Sequence, residues 1–418
     1  MEFPKLKLRR LKVVRFRNVA PGCELRFDDG VNVLLGKNGT GKTTLLALIS
    51  CVIRSDFSTF ANEPFELEYD LGPEPSMKVR VANEEASSVV PAPEVLPSEA
   101  RFRLALWVTL TVPAGELHVE SDGVTVRSRI GTREKQVSLP GHRLQHAVAY
   151  SMIEHKLGDD PAQPHLHGMI HTREAYRFDE SLDAFRAMTE VPAHLSYRGP
   201  AAAWPTTLVE LKGGWLSAFL PYLPNLPAGV DDRIELDLAG PFSDPRAEVH
   251  DWAPILGFAR IVWIADLAEG QPGNRRFTRF AFRLVRHDGS ALSHEHLSYG
   301  QKRMLALLYY MACNPQVLIA DEVVNGLHHE WIAAVMERIR DRQAFLTSQN
   351  PLLFDYLSVD SAERAGRMFV LCSAEQDERG KTTVTWRNMD PEEAARFHED
   401  LAAGVEYPSE VLLRRGLW

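Results

Sequence analysis

Apolar positions along the chain fall into a strand period near the start and a mixture of strand and helix periods later. Between residues 5 and 19, Leu6, Leu8, Leu11, Val13 and Phe16 interleave with Lys5, Lys7, Arg9, Arg10, Lys12, Arg15 and Arg17, the alternation of a strand with one wet face. The basic positions read as the guarded, solvated face of an edge strand, with a nucleic-acid stripe as the alternative. After the turn Asp28-Asp29-Gly30, the β-branched run Val31-Asn32-Val33-Leu34-Leu35 predicts a buried strand. Thr44 to Ile49 opens a helix that extends to about Arg54. Strands are expected over 65–69, 77–82, 103–112, 116–120 and 124–130, with Ser121-Asp122-Gly123 as a hairpin turn and a proline loop over 91–97. From 141 to 258 the pattern turns helical and proline-interrupted, most clearly over 174–188 and 208–220. Strands return over 260–265 and 277–286, followed by the turn His287-Asp288-Gly289. A helix over 302–312, the apolar strand 317–320, a helix over 330–340 and a strand over 344–347 complete the pattern. These elements imply four segments: a core piece at 1–58, an antiparallel β lobe at 59–140, a helical insertion at 141–258, and a second core piece at 259–418.

Composition narrows the classes. The chain has 418 residues, enough for two or three domain-sized units, and ordinary apolar and charged fractions for a folded globular protein. Its formal net charge of −9 weighs against broad nucleic-acid contact without excluding a local patch. Cys23, Cys51, Cys313 and Cys372 are scattered and form no CxxC pair, so buried free thiols in a reducing compartment are the expected state. No apolar run has the length of a bilayer span, and the basic first ten residues lack a signal peptide's apolar core, so a cytoplasmic location is expected. His165, His167 and His171, with Asp159 and Asp160 upstream, are the tempting metal cluster. Pro164 and Gly168 argue against the helix that would align them, and the spacing matches no zinc finger, so loop histidines are the simpler reading.

The chemistry concentrates elsewhere. Gly36-Lys37-Asn38-Gly39-Thr40-Gly41-Lys42-Thr43-Thr44 fits G-x-x-x-x-G-K-[ST], and it lies between a predicted strand and a predicted helix, as a phosphate-cradling loop must. Backbone N–H groups and the helix dipole favour an anion there. Lys42 is suited to β and γ phosphates, and the Thr43 hydroxyl to Mg²⁺. Leu297 is followed by Ser298-Tyr299-Gly300-Gln301 at a helix start, a second anion-binding element. The strand at 317–320 ends in Asp321-Glu322, a Walker B arrangement with Asp321 for the metal and Glu322 as general base. Asn325-Gly326-Leu327-His328 makes a tight loop, and the strand over 344–347 runs into Ser348-Gln349-Asn350-Pro351.

In this order the motifs resemble an ABC-type ATPase of the SMC, RecF and OLD branch. More narrowly, the layout is similar to the stand-alone prokaryotic ATPases labelled AAA-21 or AAA-15, many of them linked to anti-phage defence. The similarity covers roughly residues 8–55 and 276–418. It implies an α/β P-loop NTPase core, an ABC-ATPase-like mixed sheet with flanking helices, carrying an antiparallel β layer and a helical insertion. It implies ATP and Mg²⁺ as cofactors and a homodimer that sandwiches two ATP molecules, with a partner effector protein. In that dimer Ser298, Tyr299, Gly300 and Gln301 would act in trans, and Asn325 to His328 would form the D-loop at the seam. The family usually places a histidine where this chain has Gln349, which cannot become cationic, so slow hydrolysis or an ATP clamp is implied. Tyr299 likewise stands where glycine is usual. The Q-loop glutamine has no assigned position. A DNA-repair ATPase is the runner-up, although the insertion carries no sustained heptads, and a transporter subunit comes third.

Overall fold

The computed structural model describes residues 7–72, 76–85, 102–112, 114–139, 144–157, 177–178, 185, 193–197, 207–209, 233–237, 251–268, 274–314, 316–339 and 342–418. In chain order the elements are β1 (Lys7–Phe16), β2 (Cys23–Arg26), β3 (Val31–Leu35), α1 (Lys42–Arg54), β4 (Phe65–Gly72), β5 (Met77–Glu85) and β6 (Phe102–Val112). There follow β7 (Gly115–Ser121), β8 (Thr125–Ile130), β9 (Arg133–Ser138), α2 (Leu144–Glu154), β10 (Arg177–Phe178), β11 (Ala193–Tyr197), β12 (Thr207–Val209) and β13 (Arg233–Asp237). Then come α3 (Trp252–Ile255), β14 (Arg260–Ala268), β15 (Asn274–Val285), β16 (Ala291–Ser293), α4 (Tyr299–Cys313), β17 (Val317–Ala320) and α5 (His329–Ile339). The last are β18 (Gln343–Leu346), α6 (Leu352–Asp355), α7 (Ala362–Met368), β19 (Phe369–Gln376), β20 (Thr382–Asn388), α8 (Pro391–Ala402) and α9 (Pro408–Arg414). They group into two compact units, one of Met1–Ala175, Asp341–Thr347 and Leu357–Trp418, the other of Tyr176–Arg340 and Ser348–Tyr356. The motifs divide between them: the glycine loop belongs to the first unit, and Ser298, Asp321, Glu322 and Gln349 to the second.

In the first unit an antiparallel sheet runs β2-β1-β4-β5-β6-β7-β8-β9. Leu8, Leu11, Val13 and Phe16 are buried on one face of β1. On the other face Arg10 meets Glu24 at 3.3 Å, Glu68 at 3.2 Å and Asp70 at 3.6 Å, and Lys12 meets Glu68 at 3.4 Å. The edge-strand expectation is therefore corrected: β1 lies between β2 and β4, and its basic face is matched by carboxylates on both neighbours. Such cross-strand pairs leave little free positive field for a polyanion.

The same unit holds a parallel layer in which β3 lies between β18 and β19, with β20 antiparallel on β19. Buried on both faces, β3 is apolar apart from Asn32. The Asn32 amide accepts from Asp28 N–H at 2.8 Å and donates to Asp28 O at 3.0 Å, fastening the turn that enters the strand. Gln343 at the start of β18 bridges Leu8 N–H and Leu8 C=O, both at 2.8 Å, so a buried amide replaces backbone pairing there. Cys51 and Cys372 are buried and Cys23 is half-buried, all three free; burial pushes the Cys51 thiol up to about 11.

In the second unit β10 and β17 pair in parallel. A separate antiparallel sheet runs β12-β11-β15-β14-β13, with β16 added on β15. The stretches expected to be helical need correcting where they are described: Arg177–Phe178, inside 174–188, and Thr207–Val209, at the start of 208–220, are strands. Pairing with β17 and β11 outweighs their weak helical periodicity. Phe185, inside 174–188, has helical backbone as expected; His165, His167 and His171, and the rest of both stretches, lie outside the described residues. Among the described residues no group of three or more His, Cys, Asp or Glu is placed to hold a metal, and no helix is long and apolar enough to cross a membrane.

Candidate functional site

The glycine loop leaves the buried end of β3 and returns as α1. Gly36 has φ 144°, and a Cβ there would stand 2.2 Å from the Cys372 carbonyl oxygen and 2.9 Å from Thr40 Oγ1. Only glycine fits, because β19 crosses directly beneath the loop. Gly41 caps α1 in the left-handed conformation at φ 80°. The Thr40 hydroxyl donates to Lys37 O at 2.7 Å and tightens the turn. Lys42 folds its ammonium onto Gly36 O at 2.6 Å and Lys37 O at 3.1 Å, so the cation faces the loop interior. Lys37, Asn38, Gly39 and Thr43 are exposed, while Thr40 is buried. Burial pushes the Cys372 thiol up to about 12, with the nearby Lys42 charge pulling the other way, so the sulfur beside the loop stays a neutral packing group at ordinary pH.

Sequence reading missed the support behind this loop. Trp386 on β20 is 1% exposed and donates its indole N–H to Thr40 O at 3.2 Å. A Cβ on Gly41 would sit 3.3 Å from the same ring. Trp386 and Thr40 are 346 positions apart, so no local pattern links them. Replacing Trp386 with Phe keeps a ring and strands the Thr40 carbonyl. We expect nucleotide affinity to weaken by about 3- to 10-fold, the range of one lost hydrogen bond to a buried acceptor. Titration with a fluorescent ATP analogue measures this, and an unchanged dissociation constant would remove Trp386 from the loop's support.

In the second unit, Ser298 caps α4. Its Oγ accepts from Gln301 N–H at 3.2 Å, and Gln301 Oε1 accepts from Ser298 N–H at 3.1 Å, a reciprocal capping box. Gly300 is confined: a Cβ would lie 3.3 Å from Gly326 O and 3.4 Å from the Trp331 ring. Tyr299 is 54% exposed, and its ring edge lies 3.4 Å from where a Cβ on Gly326 would be. Asn325 to His328 thus pack against the start of α4, which brings these two predicted motifs together. An aromatic residue is tolerated at Tyr299 because it lies over a glycine, itself at φ 73°.

The strand β17 is buried along its length and ends at Asp321 and Glu322. Asp321 N–H donates to Phe178 O at 2.7 Å. Tyr310 on α4 pins the strand with its hydroxyl, donating to Ile319 O at 2.9 Å and accepting from Ile319 N–H at 2.7 Å. Glu322 is 8% exposed and has φ 52°, the left-handed region that side chains rarely adopt. Its Oε2 accepts from Gln349 N–H at 2.8 Å. Gln349 is therefore joined to Glu322 as the sequence order suggested, but through its main chain, and the residue itself is exposed. The Glu322 carbonyl accepts from Asn325 N–H at 3.1 Å and from Arg303 Nη2. Arg303 had a legible signal: with Leu307 and Tyr310 it occupies helix positions i, i+4 and i+7, a polar residue on a buried face.

Residues 222–355 match the AAA_21 family model, described as "AAA domain, putative AbiEii toxin, Type IV TA system". The energy-coupling factor transporter ATP-binding protein EcfA1 of Lactiplantibacillus plantarum is 28% identical over 161 residues, 36% of this chain and 57% of the relative's length. The chain thus spans little more than half of that relative. Among solved structures, the SMC head bound to the C-winged helix domain of ScpA overlaps 91% of this chain and 98% of its own at 11% identity and a TM-score of 0.40. The SMC head domain from Thermotoga maritima overlaps 92% and 99% at 10% identity and a TM-score of 0.36. Likeness at that level bears on neither fold nor activity. In its glycine loop, its acidic strand end and the two sequence matches, the chain is similar to P-loop ATPases of the ABC type.

Proposed function

We propose that the chain hydrolyses ATP to ADP and phosphate and uses the nucleotide as a dimerisation switch. The observation that carries the reading is Glu322, held in a left-handed backbone conformation at the end of a buried strand with its carboxylate on Gln349 N–H. A carboxylate fixed in this way, rather than free to rotate, suits a general base acting on water. Gly36 to Thr44 bind the phosphates of ATP, with Lys42 as the cation. Thr43 in the first unit and Asp321 in the second are each hard oxygen donors of the kind Mg²⁺ takes, and the ion would supply charge neutralisation of the phosphates. Ser298 and Gly300 sit at the start of the 15-residue α4, where the positive end of the helix dipole suits the γ-phosphate of ATP held by a second copy. Asn325 to His328 lie beside them and form the seam. Gln349 offers its side chain where a histidine is usual, so turnover is slow and the ATP-bound dimer long-lived.

The type IV toxin–antitoxin description of the matched family supports a place in a prokaryotic defence system, with a partner protein as effector. The experiment is phosphate release from MgATP by the purified chain over a range of protein concentrations, paired with the molar mass in solution with and without ATP. The reading predicts that specific activity rises with protein concentration and that mass doubles with ATP. Phosphate release proportional to protein from a monomer that ATP leaves unchanged would refute the switch. Absence of any release would refute the hydrolysis.

A further inference from the structure

Arg303 is 1% exposed, an unusual place for a guanidinium. Among the described residues it makes one hydrogen bond, from Nη2 to the Glu322 carbonyl, while Nε and Nη1 have no acceptor. Its guanidinium carbon lies 5.6 Å from the centre of the Phe178 ring. A buried cation so thinly paired is a poor stabiliser, and an apolar residue of similar volume would ordinarily serve the core better. The cost is spent on one carbonyl, that of a residue at φ 52°. Non-glycine residues in that region persist only where the surroundings hold them, and they concentrate at functional sites.

Three donors converge on Glu322: Asn325 N–H at 3.1 Å and Arg303 Nη2 on the carbonyl, and Gln349 N–H at 2.8 Å on the carboxylate. Arg303 is the one that reaches from α4. It lies five residues from Ser298, about 7.5 Å along a helix. Through Tyr310 the same helix also fixes Ile319 of β17. A shift of α4 along its axis therefore acts on both the strand and the residue that follows it.

We propose that Arg303 is a positioning residue: it holds Glu322 in the left-handed conformation that aims its carboxylate, and it transmits the seating of the α4 N-terminus to the hydrolytic step. The inference rests on the reading of Glu322 as general base. It makes turnover, not nucleotide binding, depend on Arg303.

The test uses the full chain with Arg303→Met, Arg303→Lys, Glu322→Gln and the double variant Arg303→Met/Glu322→Gln. ATP binding, steady-state and single-turnover hydrolysis, and melting temperature are measured for each. Arg303→Met should lower kcat by about 30- to 100-fold, the scale of a misaligned catalytic group, with the nucleotide dissociation constant within about 2-fold of wild type. Arg303→Lys, which keeps one donor and the charge, should recover most of kcat. In the Glu322→Gln background, Arg303→Met should cost less than about 3-fold more, because a group that acts through the carboxylate has nothing left to aim. Unchanged kcat in Arg303→Met would overturn the proposal. So would an equal loss in both backgrounds, or a loss of binding in step with turnover. Unfolding of both Arg303 variants would also overturn it, by assigning the residue to the core alone. Wild-type turnover in Glu322→Gln alone would refute the general-base reading instead. An inactive Glu322→Gln beside a fully active Arg303→Met would refute only the positioning role.

Discussion

Substituting Gly36 with Ala cripples ATP binding: we expect a dissociation constant weakened at least about 100-fold, roughly 2.8 kcal/mol at about 1.4 kcal/mol per decade. Two independent costs combine. The backbone at φ 144° lies outside the regions that a residue with a Cβ adopts readily, a strain of about 1–3 kcal/mol. The new methyl would also stand 2.2 Å from the Cys372 carbonyl oxygen, and that atom is fixed in β19 by its pairing with β3 and β20. Relief requires the loop to lift, and lifting moves Gly36 O and Lys37 O, the two carbonyls on which Lys42 rests. Equilibrium binding of an ATP analogue reads the loss, with circular dichroism as a check that the sheet persists. Wild-type affinity would mean that β19 yields, and that the close approach beneath the loop has no bearing on phosphate binding.

Glu322→Gln separates binding from chemistry. The amide keeps an oxygen able to accept from Gln349 N–H, and the backbone contacts of Glu322 through its carbonyl are untouched, so the fold and the ATP affinity should survive. What disappears is the capacity to take a proton from water, worth about 10²- to 10⁴-fold. We expect single-turnover hydrolysis to fall by that factor, the dissociation constant to change less than about 3-fold, and the ATP-bound dimer to persist longer on size exclusion. Hydrolysis at the wild-type rate would sink the assignment of Glu322 and leave the acidic strand end with a metal role only.

Much of this arrangement is legible one segment at a time. The run Val31–Leu35, the glycines around Lys42 and the strand Val317–Ala320 each carry their own signal, because a buried parallel strand is apolar on both faces and a phosphate loop needs glycine where the backbone turns back. The charged alternation of β1 was legible as a wet face. Its place between β2 and β4 was not, since the carboxylates that neutralise Arg10 and Lys12 come from other strands. The same limit hid Trp386, which acts on Thr40 from the far end of the chain, and the backbone strain at Glu322, which nothing about a glutamate announces. Gln349 was found for its side chain, whereas the contact it makes with Glu322 comes from its amide N–H, which any residue but proline could supply.

The position of β3 has a consequence for how the protein comes to exist. The strand that launches the glycine loop is made within the first few dozen residues, yet both of its neighbours, β18 and β19, and the tryptophan beneath the loop come from the last quarter of the chain. On a ribosome adding about 5–20 residues per second, the loop waits on the order of 20–70 s for the segment that shapes it. Through that interval a nascent chain carries the whole phosphate-binding motif and no phosphate-binding site. If the loop binds phosphate as proposed, products that end before β19 should be silent toward ATP, and chains carried through β20 should take up the nucleotide.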